Sequence, residues 1–231
     1  AAAVREGRTV FDNLRKVISW ILPTSAGEAA TVGAALLLGL ALPVSPVQIL
    51  WVNLITAVTL GLALAFEPTE PGTMLRPPRP RSAPLLTGAL VWHVVFVTAL
   101  FFAAVFGLFS YASDRGYPLA QAQTMAMNML VVLEIFYLFF IRNIHGTSLS
   151  WRAFRGTRAV WLSLAVIVPA QFLVTYAPAA QSVLGTAGLS LLDGLLVIAL
   201  GMVFFAILEV EKQLRLSLSG GAEPAAPAGA P

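Results

Sequence analysis

VISWILPTSAGEAATVGAALLLGLA occupies residues 17–41 and carries a single formal charge, that of Glu28. A helix that crosses the bilayer core needs about 20 mostly apolar residues, and this run supplies them. Glu28 interrupts it five residues after Pro23, and a charge at the bilayer centre costs at least about 2.5–3.5 kcal/mol on insertion scales. The stretch therefore makes two statements, that the chain enters a membrane and that it takes a carboxylate in with it.

Five further stretches approach the same length, at about 47–66, 85–111, 119–141, 159–177 and 188–209. Between them lie LPVSP (42–46), EPTEPGTMLRPPRPRSAP (67–84), SDRGYP (113–118), RNIHGTSLSWRAFRGTR (142–158) and APAAQSVLGTA (177–187). The whole chain is 58% hydrophobic and only 11% charged, where a soluble domain carries about 25% charged residues. The fold expected is an all-α polytopic membrane bundle of six transmembrane helices. Its expected parts are a cytoplasmic amphipathic lead-in at 1–16, the six-helix domain at 17–215, and a Pro/Ala/Gly-rich disordered cytoplasmic tail at 216–231.

The basic residues orient the bundle. With six spans, 13 of the 14 lysines and arginines fall on one side, at the two ends and in the second and fourth loops; only Arg115 falls on the other. By the positive-inside rule that side is cytoplasmic, so both termini are expected there, in an integral protein of the plasma (inner) membrane of the bacterial type. Basic residues beside the ends of membrane helices read as topology determinants, and no nucleic-acid role is expected. No cysteine is present, which excludes disulfides and thiolate metal sites. The opening AAAVREGRTVFDNLRK has no apolar core of a cleavable signal.

Three acidic residues fall within the spans: Glu28, Glu134 and Asp193. Asp193 sits near a helix end, within reach of water. Glu28 and Glu134 lie nearer mid-span, where ionisable groups face the bundle interior and mark ion or proton paths. Around Glu28, Ser25 shares a helix face at i−3, Pro23 removes a backbone donor and frees a carbonyl one turn away, and Gly27 allows a close helix approach. Carboxylate, hydroxyl and carbonyl are all oxygens, the ligands of hard cations. In the second span Asn53 and Thr56 share a face, Thr59 extends it, and Gly61 loosens the helix below. The fourth span adds Asn128, Glu134 and Tyr137. His93 reads as a packed, hydrogen-bonded histidine, and Gln48 and Trp51 as interfacial or packing residues. No phosphate-binding loop, zinc-protease motif or serine-nucleophile motif occurs.

Four stretches taken in order carry a resemblance: EGRTVFDNLRKVISWIL (6–22), SAGE (25–28), PVQILWVNLIT (46–56) and EPTEPGTMLRPPRP (67–80). The chain resembles the C-terminal membrane half of a type II cation-transporting P-type ATPase, the family of the calcium pumps and their bacterial relatives. The resemblance implies helices five to ten of a ten-helix pump. It implies cation-binding roles for Glu28, Asn53, Thr56 and Glu134, with Ser25 standing where the calcium pump has asparagine, and coupling or hinge roles for Pro23 and Gly27. Ala57 departs from the family: the calcium pump has an aspartate there, so two calcium ions per cycle are not expected. The family's phosphorylated-aspartate motif, nucleotide domain and first four helices are absent. The chain alone is therefore not expected to hydrolyse ATP. No cofactor is expected within it, Mg-ATP acting at the missing cytoplasmic domains. The partners implied are an inorganic cation, the lipid bilayer and the N-terminal remainder of the pump. A stand-alone six-helix carrier, channel or interaction protein is the alternative; an intramembrane hydrolase lacks a nucleophile or a histidine pair.

Overall fold

The computed structural model describes residues 2–69, 73–75, 88–142 and 157–220. Arg76, Arg79, Arg81, Arg152 and Arg155, the RPPR segment and the tail from 221 lie outside the described residues. Those described are helical, with no strand among them: α1 (Ala2–Leu38), α2 (Pro46–Ala65, with a π-helical turn at Ala57–Gly61), α3 (Gly88–Asp114), α4 (Leu119–Arg142), α5 (Arg158–Tyr176), a short α6 (Pro178–Leu184) and α7 (Leu191–Gly220). Six of them, all but α6, are long and apolar enough to cross a membrane. The expected boundaries at 16/17 and 215/216 do not coincide with helix ends. α1 runs unbroken through the lead-in, and α7 continues to Gly220.

Local chemistry sets the ends. Gly39 takes a left-handed φ of 64° and closes α1, the conformation glycine adopts without Cβ strain. Ser45 and Gln48 form a reciprocal capping box before α2, with Pro46 in the first turn. Thr157 caps α5 by accepting from the Val160 N–H. At the start of α7 the Asp193 N–H donates to Ser190 Oγ, and the Ser190 N–H and hydroxyl both donate to Asp193 Oδ2. Tyr117 donates to the other Asp193 oxygen at 3.0 Å, and that bond holds the Tyr117 phenol above its ordinary pKa. Asp193 is thus a helix cap; it is 6% exposed, so protein donors satisfy its oxygens, and the expectation that it reaches water is corrected.

α4 is the central helix. It is 72% buried along its apolar window, against 28–44% for the other five spans. It packs along α3 and α7 and touches α1 and α2, while α1 lies against α3. Two glycines permit these approaches. A Cβ on Gly27 would stand 2.6 Å from Phe101 Cβ, and one on Gly201 would stand 2.5 Å from Val132 Cγ1. Between the helices His93, Tyr137 and Phe140 stack on one another, with Phe101 and Phe204 edge-on against Tyr137 and each other. The outward faces carry exposed Leu37, Leu54, Trp92, Phe172 and Leu192, the surface a bilayer requires and water would disfavour.

Candidate cation-binding site

α1, α2 and α4 bring Glu28, Asn53, Thr56 and Glu134 together. Asn53 Nδ2 donates to Glu28 Oε2 at 2.8 Å and also to the Ile49 carbonyl at 3.1 Å. The Thr56 hydroxyl donates to the Val52 carbonyl at 2.8 Å and stands beside the Glu134 carboxyl, which in turn is close enough to Glu28 for the two to interact electrostatically. Glu28 is 7% exposed and Glu134 2%. Glu28 Oε1 and Glu134 Oε2 are buried without any hydrogen-bond partner. Buried acceptors are normally satisfied, and a buried charge is costly unless it is paired or holds a metal. Two such oxygens on neighbouring helices are acceptors that could hold a cation. The donors on hand are two carboxylates, a side-chain amide and a hydroxyl; among the described residues no three His, Cys, Asp or Glu side chains converge.

The backbone of α2 is irregular beside these side chains. The π-helical turn Ala57–Gly61 begins one residue after Thr56 and breaks the regular i→i−4 ladder, a feature frequent at functional sites. Ser163 of α5 donates to the Thr59 carbonyl within it at 2.8 Å. Gly61 lies at the end of this turn, where the sequence suggested a loosened helix.

The other residues singled out around Glu28 lie elsewhere. Ser25 is exposed and does not join the cluster. Buried Thr24 and Thr31 flank Glu28 instead, each donating back to its own helix. The carbonyl freed by Pro23 is that of Ser19, four residues earlier, and it does not turn toward Glu28. It accepts the Tyr137 hydroxyl at 2.8 Å, and that hydroxyl pairs with His93 Nε2 at 2.9 Å. The expectation that this oxygen belongs with the Glu28 carboxylate is corrected accordingly: a phenol on α4 satisfies it. Pro23's own carbonyl accepts from Thr98 on α3 at 3.4 Å. His93 is a packed and hydrogen-bonded residue, as read from its apolar surroundings. Asn128 faces α5, in a network with Gln171, Thr175 and, through Gln171, Trp51. Gln48 donates from its Nε2 to the Leu184 carbonyl.

Sequence reasoning missed a second polar centre. Glu67, just beyond α2, accepts from Arg142 Nε at 2.6 Å and from the Thr157 hydroxyl at 3.3 Å. Its backbone carbonyl accepts from Asn13 of α1 at 2.8 Å. Glu67 and Arg142 are 75 positions apart, so no local pattern announces the pair.

A family model described as cation transporting ATPase, C-terminus, matches residues 41–214. The chain is 48% identical over 187 residues to a probable cation-transporting ATPase F of Mycobacterium tuberculosis, covering 80% of this chain and 20% of that protein. It is 39% identical over 150 residues to the cation-transporting ATPase pma1 of Synechocystis, covering 65% and 17%. With a calcium-transporting ATPase of Bacillus subtilis it shares 32% identity over 203 residues, covering 87% and 23%. The chain spans about a fifth of the length of the curated relatives it matches.

Proposed function

Because the chain belongs to the cation-transporting ATPase family, matching its C-terminal part, we propose that it forms the transmembrane ion-binding portion of an ATP-driven cation pump working by alternating access. One observation carries this reading. Glu28 and Glu134 are buried on neighbouring helices, each with one unpartnered oxygen, and Asn53 and Thr56 lie against them. The cation is the cargo, held by Glu28, Asn53, Thr56 and Glu134. With alanine at 57, the cluster holds two carboxylates among its ligands, which favours one divalent or monovalent ion over two divalent ones. Ser25 is kept as a candidate ligand only for a helix that approaches its exposed side.

The described residues offer no fit for Mg-ATP: they hold no phosphate-cradling loop, and the sequence has no phosphorylated-aspartate motif. ATP chemistry is assigned to the cytoplasmic domains of the pump's N-terminal remainder. The basic residues support a cytoplasmic side for both termini, and a plasma-membrane setting belongs to the same proposal.

The geometry also suggests how work reaches the site. α1 is one helix from Ala2 to Leu38, so Asn13 and Glu28 lie about 22 Å apart on one rod. Its lead-in is tied to the end of α2 and the segment after it by Arg8 to the Thr73 carbonyl at 2.6 Å, Thr9 to Thr69 at 2.7 Å, and Asn13 to the Ala65 and Glu67 carbonyls. A pull on the lead-in would move Glu28 and the end of α2 together, with Pro23 and Gly27 as the places where α1 yields.

The test is cation-stimulated ATPase activity of the full-length protein, screened with calcium, manganese, sodium, potassium and pH. Glu28→Gln and Glu134→Gln are expected to weaken the affinity for the activating ion. Unchanged stimulation and affinity in both variants would overturn the assignment.

A further inference from the structure

Two adjoining spaces at the end of the bundle that holds Asn13 and Arg142 are not used by the cation site. The first is a cavity of about 70 Å³ between α1, α3, α4 and α7, with Arg15, His93, Lys212 and Arg215 in its lining. A single ordered water needs only about 10–15 Å³, so the cavity has room for a phosphate-sized group. The second is a groove of about 550 Å³ between α3 and α7, walled by Trp92, Phe96, Ile207, Val210 and Leu214, with Glu211 and Arg215 as its charged pair, within the range of ligand-sized clefts. Arg215 lines both, so one guanidinium serves the cavity and the groove.

The charges there do not balance. Lys212 pairs with Glu209 at 2.8 Å and lies over the Phe140 ring. Arg215 meets Glu211 at 3.6 Å. Arg15 is exposed and has no carboxylate partner, so the cavity keeps one positive charge in surplus. Trp92 stands at the groove with more than half its surface exposed, the position of an aromatic anchor at headgroup depth.

We propose that the α3–α7 groove binds an anionic glycerophospholipid, its single phosphodiester charge against Arg15 and Arg215 and one acyl chain along Trp92, Phe96, Val210 and Leu214. A basic pocket between membrane helices with an apolar groove beside it matches both halves of such a molecule. The site is independent of the cation-binding reading.

The experiment uses the full-length protein equilibrated with equal amounts of phosphatidylglycerol and phosphatidylcholine, with retained lipid counted by native mass spectrometry. Phosphatidylglycerol is expected to be retained in preference. Arg15→Gln and Arg215→Gln should each lower that retention about fivefold, the effect of removing one cationic side chain at an anionic surface. Glycerol phosphate and inorganic phosphate, lacking a chain, should not displace it. Equal retention of the two lipids, undiminished retention in both variants, or displacement by glycerol phosphate alone would overturn the proposal. The last result would mark the cavity as a free-anion site.

Discussion

Tyr137→Phe tests how the bundle accommodates Pro23. The ring is fully buried, and its hydroxyl donates to the Ser19 carbonyl at 2.8 Å while His93 Nε2 lies at 2.9 Å. Since the hydroxyl has one proton and gives it to the carbonyl, His93 donates to the phenol oxygen. Phenylalanine keeps the packing and removes both bonds. The Ser19 carbonyl then has no fallback, because Pro23 lacks the N–H that would normally reach it. An orphaned buried acceptor costs about 1–3 kcal/mol in soluble proteins, and interhelical bonds in membranes average nearer about 0.6 kcal/mol. A loss of about 1–2 kcal/mol is therefore expected for the single variant. The decisive measurement repeats the substitution in a Pro23→Ala background, where the new N–H at 23 can satisfy Ser19. There the penalty should shrink by about 1 kcal/mol, leaving the part that belongs to His93. Equilibrium unfolding in mixed micelles of the four proteins gives the cycle. Equal penalties in both backgrounds, within about 0.3 kcal/mol, would show that Pro23 and Tyr137 are not coupled through this carbonyl.

Gly27→Ala puts a methyl 2.6 Å from Phe101 Cβ and should destabilise by about 1–3 kcal/mol through overpacking. Gly33→Ala, with nothing within 4 Å of its Cβ, should be neutral or stabilising by up to about 1 kcal/mol in the same unfolding assay. Arg142→Gln leaves the Glu67 carboxylate in a pair whose side chains are 9% and 8% exposed, and should cost as much as about 3 kcal/mol; thermal unfolding unchanged from the parent would remove the pair as a structural tie. Ser25→Ala, at an exposed position, should shift stability by no more than about 0.5 kcal/mol, read in the same thermal scan.

Much of the site was legible in order but not in arrangement. Glu28 and Glu134 stood out because an apolar run makes any carboxylate conspicuous, and Asn53 and Thr56 because three residues along a helix share a face. Ser25 satisfied the same spacing rule and still faces outward. A residue at i−3 lies about 60° around the helix from Glu28, and which edge meets a neighbour depends on where that neighbour packs. Thr24 and Thr31 occupy the buried edge. The same reason explains Pro23: the sequence shows that a carbonyl is freed, but the phenol that takes it comes from a helix more than 100 positions away.

What the sequence determined by itself is the number of spans, their order and which polar groups they carry into the membrane. Each span is a local fact, about 20 apolar residues long. The tertiary structure alone decided which helix lies at the centre. α4 is the most buried span, yet its mean hydropathy of 2.0 is below the 2.3 of α3 and the 2.6 of α7. In a membrane the outward faces are as apolar as the interior, so hydropathy does not distinguish a lipid-facing helix from a buried one. The centre goes to the helix whose side chains fit its neighbours: Glu134 beside Thr56, Tyr137 on the Ser19 carbonyl, and Val132 and Phe136 against Gly201.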